Sequence, residues 1–468
     1  MFGSIKMNVA AYFVHFPGES INMKKLAYLR RPIMVSLTLI TSLFFSVSAL
    51  AAKEKEITLC WAAWDPANAL VELSKGFTEK TGIKMKFEFV PWPNFADRML
   101  NELNSRGQLC DLMIGDSQWI GGGATYGHYM KLNDFFNKEK ISMNDFLPST
   151  VNAYSTWPKG TKNYYALPAM GDALGWVYRK DWFARTELQT EFKQKHGRAL
   201  TPPKTWKELK QVAEFFQGRE IDGNKVYGAA LYTERGSEGI TMGATASLYA
   251  HGFKYENTKG KYDMQGAVNS EESIKGLEFY KSLYDCCTPP GHSNAYMVAN
   301  LDAYKSGQVA MQMNWFAFFP GIAKDEKVGN KSGFFANPEA KIAASTLGGQ
   351  GISVVSYSDD KESALEYIKW FAQQDVQAKW WKLGGYSCHK AVSGAADFTS
   401  SAPFASEFIT AMNSVQDFWQ EPTYAELLQS MQKRLHDYVV ADSGTAKTAL
   451  DKLVEDWTEI FEDDGKKL

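Results

Sequence analysis

Cysteine, net charge and long apolar runs are all sparse in this sequence, and each scarcity excludes a class of protein. Five cysteines in 468 residues are too few for a small scaffold held together by disulfides. A formal net charge of −2 gives no bulk attraction for a polyanion, so no nucleic-acid partner is expected. Beyond the N-terminal region, no uncharged apolar stretch is long enough to span a bilayer. The sequence therefore predicts a globular chain, large enough for two or more domains.

The sequence patterns of common catalytic and cofactor sites are also missing. The seven histidines show no H-x-x-x-H spacing and the cysteines no C-x-x-C spacing, so no metal site is predicted. No G-x-S-x-G pattern occurs. The glycines at 121–123 lack the spacing of a phosphate-binding loop, so no nucleotide cofactor is expected. The 53 acidic residues could still supply a catalytic carboxylate pair, which keeps a secreted carbohydrate-active enzyme open as an alternative.

The N-terminal segment has the features of a secretory signal peptide. Basic residues at 24, 25, 30 and 31 precede an uncharged apolar run at 33–47, and Ala49-Leu50-Ala51 fits a small-x-small cleavage site. The apolar run is short for a membrane-spanning helix, although an uncleaved anchor is the alternative. Residues 1–22 lack signal features, so Met23 is the expected start. We predict that residues 1–51 are removed and that the mature chain is periplasmic.

Export to an oxidising compartment permits one or two disulfides. Adjacent Cys286 and Cys287 are not expected to pair with each other, and Cys388 is a candidate partner for one of them. Cys60 lies inside a predicted strand, and Cys110 directly precedes another. The spacing alone leaves the pairing of the five cysteines open.

The stretch that organises the chain is a strand followed directly by a helix. An apolar run at 59–64 ends at Asp65 and Pro66, and apolar residues then recur at helical spacing. Asp followed by Pro is typical of a helix start, because Asp can cap free amides and Pro suits the first turn. Trp64 and Asp65 therefore lie at the carboxyl end of a strand, where open α/β sheets bind their ligands.

Two further strands complete a β-α-β-α-β pattern, which predicts parallel strands with right-handed crossovers. The strand at 84–90 alternates polar and apolar residues, as at a sheet edge, and a helix at 94–105 precedes a buried strand at 111–115. The third strand ends at Asp116, and Trp119 follows in a glycine-rich segment. If the first and third strands are neighbours, one cleft wall is lined by Asp116 and Trp119 together with Trp64 and Asp65.

The rest of the chain continues as alternating strands and helices without an internal repeat. The predicted strands are at 173–178, 226–232, 309–315 and 352–355. A predicted helix begins at 205–209, and further helices are predicted at 271–284, 301–305, 361–371 and, as a pair, 421–462. Thr205 and Glu208 match a capping box at the start of one helix. We place a first crossing between two lobes at 168–172 and the return crossing in the strand at 309–315.

Seven segments in this order resemble the extracellular solute-binding proteins of ABC importers, family 1, the large class similar to maltose-binding protein. They are FTEKTGIKMKF (77–87), CDLMIGD (110–116), YYALPAMGDALGWVYRKDWF (164–183), PPKTWKELKQVAEFF (202–216), AYKSGQVAMQMNWF (303–316), LGGQGISVVSYSDDKESALEYIKWFAQ (347–373) and LGGYSCHKAV (383–392). Each segment is a weak signal alone, whereas the ordered set behind a signal peptide is specific.

The resemblance implies an α/β, two-lobed periplasmic binding protein fold of type II, in the large carbohydrate-binding cluster. Each lobe would be a mostly parallel sheet flanked by helices. The N-terminal lobe would hold residues 52–168 plus 314–373, and the C-terminal lobe residues 172–311 plus 374–468. The lobes would close on a carbohydrate or polyol and present it to the membrane subunits of an ABC permease, without catalysis or a cofactor. We expect a monomer.

A sugar site needs aromatic rings for C–H faces and carboxylates for hydroxyls. Aromatic residues make up 14% of this chain, so such rings are plentiful. By strand position or by matching the family, the candidate ligand-binding residues are Trp64, Asp65, Asp116, Trp119, Asp172, Trp315, Gly349 and Tyr386, with Trp92, Glu238 and Trp419 as weaker candidates. Core packing for the aromatics, and helix capping for Asp65, are the alternatives. Several carboxylates without stacked aromatics would instead favour a polyamine.

Overall fold

The computed structural model describes residues 54–258 and 261–466, so the predicted signal peptide at 1–51, with Met23, lies outside the described residues. The strands in the described part are β1 Glu56–Ala63, β2 Lys84–Pro91, β3 Leu112–Asp116, β4 Leu167–Arg179, β5 Glu220–Ile221, β6 Asn224–Lys225, β7 Tyr227–Ala230, β8 Val309–Trp315, β9 Ser332–Ala336, β10 Ser345–Val354 and β11 Val415–Gln416.

The helices alternate with these strands along the chain. They are α1 Asp65–Thr81, α2 Trp92–Asn104, α3 Ile120–Thr125, α4 Asn133–Glu139, α5 Pro148–Tyr154, α6 Lys180–Phe183, α7 Thr186–His196, α8 Trp206–Phe216, α9 Gly239–His251, α10 Glu271–Cys287, α11 Met297–Lys305, α12 Phe319–Ala323, α13 Lys361–Phe371, α14 Gln374–Leu383, α15 Lys390–Ser393, α16 Ala405–Met412, α17 Tyr424–Val439 and α18 Ala446–Asp463. Within 54–258 and 261–466, none combines the length and apolarity of a membrane-crossing helix.

The first three strands form the predicted parallel unit. β1 pairs in parallel with β2 on one side and with β3 on the other. β1 is buried through most of its length, whereas only Val90 of β2 is buried, as its alternating sequence predicts for an edge strand. The carboxyl ends of β1 and β3 therefore lie side by side, which confirms the expected neighbourhood of Trp64 and Asp116.

Helices α1 and α8 start within one residue of where the sequence places them, although the capping contacts differ. Helix α1 begins at Asp65, but Trp64 occupies the capping position and no side chain caps the helix. The Asp65 carboxylate instead lies in the first turn, where it is favourable near the positive end of the helix dipole. Thr205 caps α8 by accepting from the Glu208 N–H at 3.1 Å, while the Glu208 carboxylate accepts from the Lys204 N–H.

β4 is a long strand that links two regions of the sheet. Its residues 167–173 pair antiparallel with β10, and its residues 174–179 pair antiparallel with β8 and β9. The sheet order is β2-β1-β3-β10-β4-β8-β7, with β10 antiparallel to β3 and β7 parallel to β8. Parallel pairing thus holds in the β2-β1-β3 unit and between β7 and β8, while the strands at the predicted crossings pair antiparallel. The lobe boundaries themselves stay a prediction.

Helix α14 packs on the first part of the chain as well as on its neighbour α15. It packs against α1, and its buried Trp380 donates a hydrogen bond to the Ala169 carbonyl at 3.0 Å. The Trp380 ring also lies 6.4 Å from that of Trp61 in β1. The predicted lobe boundary between residues 373 and 374 therefore assigns α14 and α1, which pack together, to different lobes.

Two expectations about the cysteines are wrong, since Cys286 and Cys287 do pair with each other and Cys388 pairs with neither. Cys286 is bonded to Cys287, and Cys60 to Cys110, while Cys388 is a buried free thiol. Cys388 lies 3.4 Å from the ideal Cβ position of Gly171 in β4, whereas the adjacent pair ends α10, where the backbone turns to an extended conformation at residue 288. Cys110 directly precedes β3, the parallel neighbour of β1, which brings it within 5.7 Å of Cys60 between Cα atoms.

Candidate functional site

A small cavity of about 30 Å³ lies where the carboxyl ends of β1 and β3 meet the first half of β10. Three tryptophans, three acids and three glutamine or serine side chains contribute to its wall. The lining residues are Trp64, Trp92, Asp116, Ser117, Gln118, Asp172, Glu238, Met242, Met297, Trp315, Leu347, Gly348, Gly349 and Gln350. The cavity therefore occupies the strand ends at which open α/β sheets place their ligands.

Asp116 is positioned by a hydrogen-bonded chain across the sheet. It pairs with Gln350 in the β3–β10 register, and the Gln350 amide donates to its Oδ1 at 2.5 Å. The side-chain oxygen of Gln350, Oε1, accepts in turn from the Trp61 indole N–H at 3.3 Å. The pKa of Asp116 is raised to about 7. Burial is the main cause, the hydrogen bond from Gln350 opposes it, and the charge of Asp417 adds to it. Its second oxygen, Oδ2, receives no donor among the described side chains and backbone groups.

Asp172 is held in the middle of β4 by backbone donors. Its Oδ1 accepts from the Ala173 N–H at 2.8 Å and from the Ala317 N–H at 3.3 Å. The side chain is buried, and this burial raises its pKa to about 8 although the backbone hydrogen bonds oppose the shift. Asp172 thereby links β4 to the turn that follows β8, next to Trp315.

Glu238 reaches the cavity from an unusual backbone conformation. Ser237 and Glu238 have φ angles of 43° and 72°, in the left-handed region that side chains other than those of glycine and asparagine seldom adopt. Glu238 directly precedes α9 but makes no capping hydrogen bond, so its carboxyl group is turned away from the helix that it could cap. Burial raises its pKa well above the usual range, and the nearby Asp116 adds to the shift.

Indole rings form the apolar part of the wall. Trp64 contacts Trp92 at 5.9 Å between ring centroids and meets Trp61 edge-on at 5.5 Å. Trp315 lies across Gly348, where an added Cβ would come within 2.7 Å of the indole ring. The Trp64 indole N–H is buried without a hydrogen-bond partner among the described residues. The site can therefore offer flat apolar faces together with a ring donor.

Gly349 is required for the backbone path. Its φ of 88° lies in the left-handed region, and a Cβ there would fall 2.2 Å from the Met170 carbonyl oxygen. The β10–β4 register shifts just after this residue, between 350 and 351. Glycine at this position lets β10 bend against β4 at the cavity wall.

The structure brings together most of the residues that the sequence nominates. Five of the eight main candidates line the cavity, and two of the three weaker ones do as well. These seven are Trp64, Asp116, Asp172, Trp315, Gly349, Trp92 and Glu238.

Four nominated residues lie elsewhere. Asp65 is exposed on the first turn of α1. Trp119 is buried in the core against Phe95, with ring centroids 5.0 Å apart. Tyr386 is buried, and its hydroxyl donates to the Phe316 carbonyl. Trp419 packs in an aromatic cluster with Trp457 and its neighbours. Their roles in the described structure are those of helix start and core packing.

Tyr386 lines a separate and larger cavity of about 580 Å³, between α12, α14, α15 and the start of α16. Its walls include Trp381, Phe398 and Phe404. This second cavity shares no lining residue with the first, and Asp397 is the only acid among the described residues that line it.

The sequence did not single out several of the cavity residues. Gln118 and Gln350 are buried polar side chains, 5% and 1% exposed. Gln118 follows Asp116 by two residues, and Gln350 lies inside the Leu-Gly-Gly-Gln-Gly segment, so both were adjacent to nominated positions. Met242 and Met297 come from helices α9 and α11, where apolar residues carry no signal that separates a cavity wall from a core.

These elements define an α/β solute-binding protein of the two-lobed class. Residues 63–378 match the model of the bacterial extracellular solute-binding protein family, and the chain belongs to that family. Solved structures with the same fold include maltose-bound MalE3 of T. maritima, at a TM-score of 0.73 and 20% identity over 86% of this chain and 99% of that one. A solute-binding protein of Agrobacterium radiobacter K84 in complex with ribitol has a TM-score of 0.73 and 22% identity over 87% and 99%.

Relatives of characterised or assigned function bind different solutes. A probable amino-acid ABC transporter periplasmic-binding protein of Sinorhizobium fredii is 23% identical over 329 residues, 68% of this chain and 68% of the relative. A mannitol-binding protein of Pseudomonas aeruginosa is 27% identical over 238 residues, half of each chain. The similarity shows the family, and the residues of the cavity have to supply the argument for the ligand.

Proposed function

We propose that this protein is the periplasmic substrate-binding subunit of an ABC importer for a carbohydrate or polyol. It captures the solute in the cavity at the ends of β1 and β3 and delivers it unchanged to the membrane permease. The observation that carries the proposal is the cavity wall, which combines three indole rings with three carboxyl groups. The protein performs no covalent chemistry in this scheme and needs no cofactor.

The wall suits the two chemical faces of a sugar. Indole rings such as Trp64, Trp92 and Trp315 cover C–H faces, and the carboxyl groups accept hydrogen bonds from hydroxyls. A buried hydroxyl without a partner costs about 1–3 kcal/mol, so acceptors have to be placed in advance. The unpartnered Trp64 N–H supplies a donor for a hydroxyl oxygen.

An amino-acid ligand fits this wall less well. Its α-carboxylate needs a cation or several backbone N–H groups, and no Lys, Arg or His occurs among the described residues that line the cavity. A bare polyamine would satisfy the carboxyl groups, but it has no flat C–H face to pack against the three indole rings. These contrasts favour a hydroxylated ligand over both.

Ligand entry requires the wall to open. A cavity of about 30 Å³ holds roughly one water molecule, whereas small-molecule sites typically measure about 300–1,000 Å³. In our proposal Trp64 and Asp116 belong to the N-terminal lobe, at 52–168 plus 314–373. Glu238, Met242 and Met297 belong to the C-terminal lobe, at 172–311 plus 374–468. Separation of these lobes admits the ligand, and closure shifts the population toward the form that the permease recognises.

Calorimetry on the purified protein tests the proposal. The panel contains mono- and oligosaccharides, polyols and glycosides, with amino acids and spermidine as non-sugar ligands. We expect saturable binding of at least one carbohydrate or polyol, and chromatography of the recovered ligand should show it unaltered. Binding confined to the non-sugar ligands would reject the assignment. Turnover of a glycoside that one carboxylate substitution abolishes would identify an enzyme instead.

A further inference from the structure

The cavity carries acidic groups without a compensating cation. Asp116 and Glu238 influence each other electrostatically, and Asp417 acts on Asp116 from behind Ser117, whose hydroxyl donates to it at 2.8 Å. Within the described chain, no basic side chain lines the cavity. Lys159 acts on Asp417 alone. Buried carboxyl groups that share a site without a counter-ion are costly to ionise, so the cluster is incomplete as it stands.

A second observation is a buried hydrogen-bond acceptor in the cavity wall that receives no donor. Gln118 lines the cavity and is 5% exposed, and its Oε1 is a buried acceptor without a partner among the described residues. Asp116 Oδ2 and the Glu238 carboxyl group are further acceptors in the same wall, and neither receives a donor there. Against these unpartnered acceptors the described part of the wall sets one buried unpartnered donor, the Trp64 N–H, which matches a ligand with an excess of N–H or O–H groups.

We infer that the ligand is an aminated sugar or polyol whose protonated amine lies between Asp116 and Glu238. This inference rests on the proposed function and specifies its ligand class. An ammonium group brings three donors and the missing positive charge, and charge-assisted hydrogen bonds to carboxylates are about twice as strong as neutral ones. Trp64 and Trp92 add attraction for the cation through their ring faces, while the hydroxylated part lies against Trp315.

Proton release distinguishes this ligand from a neutral sugar. Burial raises the pKa of both Asp116 and Glu238, Asp116 to about 7, so the pair retains protons at neutral pH that a bound ammonium would displace by favouring the ionised forms. Binding therefore displaces protons to the buffer, whereas a neutral polyol leaves the protons in place. The other titratable groups that face this pair are Asp417, Tyr129, Tyr296 and Tyr424. The three tyrosines have pKa values raised by burial. Asp417, with a pKa raised to about 6, and Asp172, which lines the same cavity and has a pKa raised to about 8, also titrate near neutrality.

Matched pairs of ligands test the inference by calorimetry on the purified protein at pH 7. The pairs are D-glucosamine with D-glucose and 1-amino-1-deoxy-D-sorbitol with D-sorbitol. N-acetyl-D-glucosamine keeps the nitrogen without its charge, and spermidine carries the charge without the hydroxyls. We expect at least one aminated member to bind at least tenfold tighter than its neutral partner. Its binding heat should differ between phosphate and Tris buffers in the sense of proton release.

Two variants locate the amine. Glu238→Gln should reduce the ratio between the affinity for the aminated ligand and the affinity for its neutral partner at least tenfold. Glu234→Gln is the matched control, because Glu234 lies four residues earlier, has a pKa raised by burial and does not line the cavity. The control should retain the full preference. The comparison of ligands on the unaltered protein does not depend on either variant folding.

The outcomes separate this inference from the function on which it rests. Neutral sugars that bind as tightly as their aminated partners, without proton release, would overturn the inference and leave the sugar-binding function intact. Spermidine binding without any binding of sugars or polyols would overturn both. An amine preference that survives Glu238→Gln would also reject the proposed position of the ammonium group.

Discussion

At the scale of single residues, Trp315 and Gly348 form one contact at the cavity wall. The indole ring lies against the β10 backbone only because position 348 has no side chain, since a Cβ there would come within 2.7 Å of the ring. The position of Trp315 therefore depends on a glycine in another strand as well as on its own rotamer.

Replacement of Trp315 by Ala should weaken binding of the carbohydrate ligand by about 1–3 kcal/mol, because a buried aromatic contact is lost. Gly348→Ala should weaken binding in the same direction, because the new methyl group displaces the indole ring. Calorimetry measures both effects. Trp381→Phe in the larger second cavity is the control and should leave the affinity unchanged. Unchanged affinity in Trp315→Ala would make this residue structural.

Asp172 should make the ligand-free protein less stable as the pH rises. Its pKa is raised to about 8 by burial, whereas an unfolded Asp titrates near 3.9. Between these values the folded state binds the additional proton, so the free energy of unfolding falls as the pH increases from about 4 to about 8.

Thermal melts at pH 5 and pH 8 measure this effect. The difference in Tm between the two pH values should shrink by several degrees in Asp172→Asn, which keeps an Oδ1 acceptor for the Ala173 and Ala317 N–H groups. Asp222→Asn is the control, because the Arg185 hydrogen bond lowers the pKa of Asp222. Asp222 is therefore ionised in the folded and unfolded states at both pH values, and its replacement should leave the difference in Tm unchanged. An identical pH dependence in Asp172→Asn and the unaltered protein would contradict the expectation.

At the scale of elements, the Cys60–Cys110 bond ties β1 to the chain just before β3 across 50 residues. Cross-linking a loop of this size restricts the unfolded chain and typically stabilises a protein by about 2–4 kcal/mol. The Cys60→Ala/Cys110→Ala variant should therefore lose stability of this order in urea unfolding. The Cys286→Ala/Cys287→Ala variant is the matched control, because that bond joins adjacent residues and closes almost no loop. Equal losses in the two variants would contradict the loop argument.

The elements that the sequence predicted are those with a local pattern. The apolar run before Asp65, the alternating β2 and the strand ending at Asp116 each show their type through spacing alone. Their carboxyl ends then place Trp64 and Asp116 together through the rules of parallel sheets. Local patterns therefore account for the strand-end half of the site.

The remaining half of the site depends on long-range packing. Glu238 lines the cavity, and both Ser237 and Glu238 have backbone dihedral angles in the left-handed region. No sequence pattern predicts that conformation. Trp119 and Tyr386 are aromatics whose exposure depends on which helix covers them. The cysteine pairing likewise depends on which strands become neighbours. Such positions are fixed by tertiary contacts, and single-sequence patterns carry little information about them.

At the scale of the whole molecule, the small cavity implies a conformational change with a measurable size. X-ray scattering of the protein should give a smaller radius of gyration with saturating carbohydrate than without it. The Trp315→Ala variant at the same ligand concentration should show a smaller decrease, because fewer molecules are occupied. A radius of gyration that is the same with and without bound ligand would mean that the walls do not separate as whole lobes.

Strand β4 has a further consequence for how this chain can evolve. Its first half pairs with β10 and its second half with β8 and β9. Asp172 lies in the first half, close to the point where the paired strand changes. If the chain were divided within β4, each of the two fragments would have an unpaired strand edge and only part of the cavity wall. Exchange of one half between relatives would therefore disturb the strand that both halves share, whereas single substitutions around the tryptophans and acids leave its pairing intact.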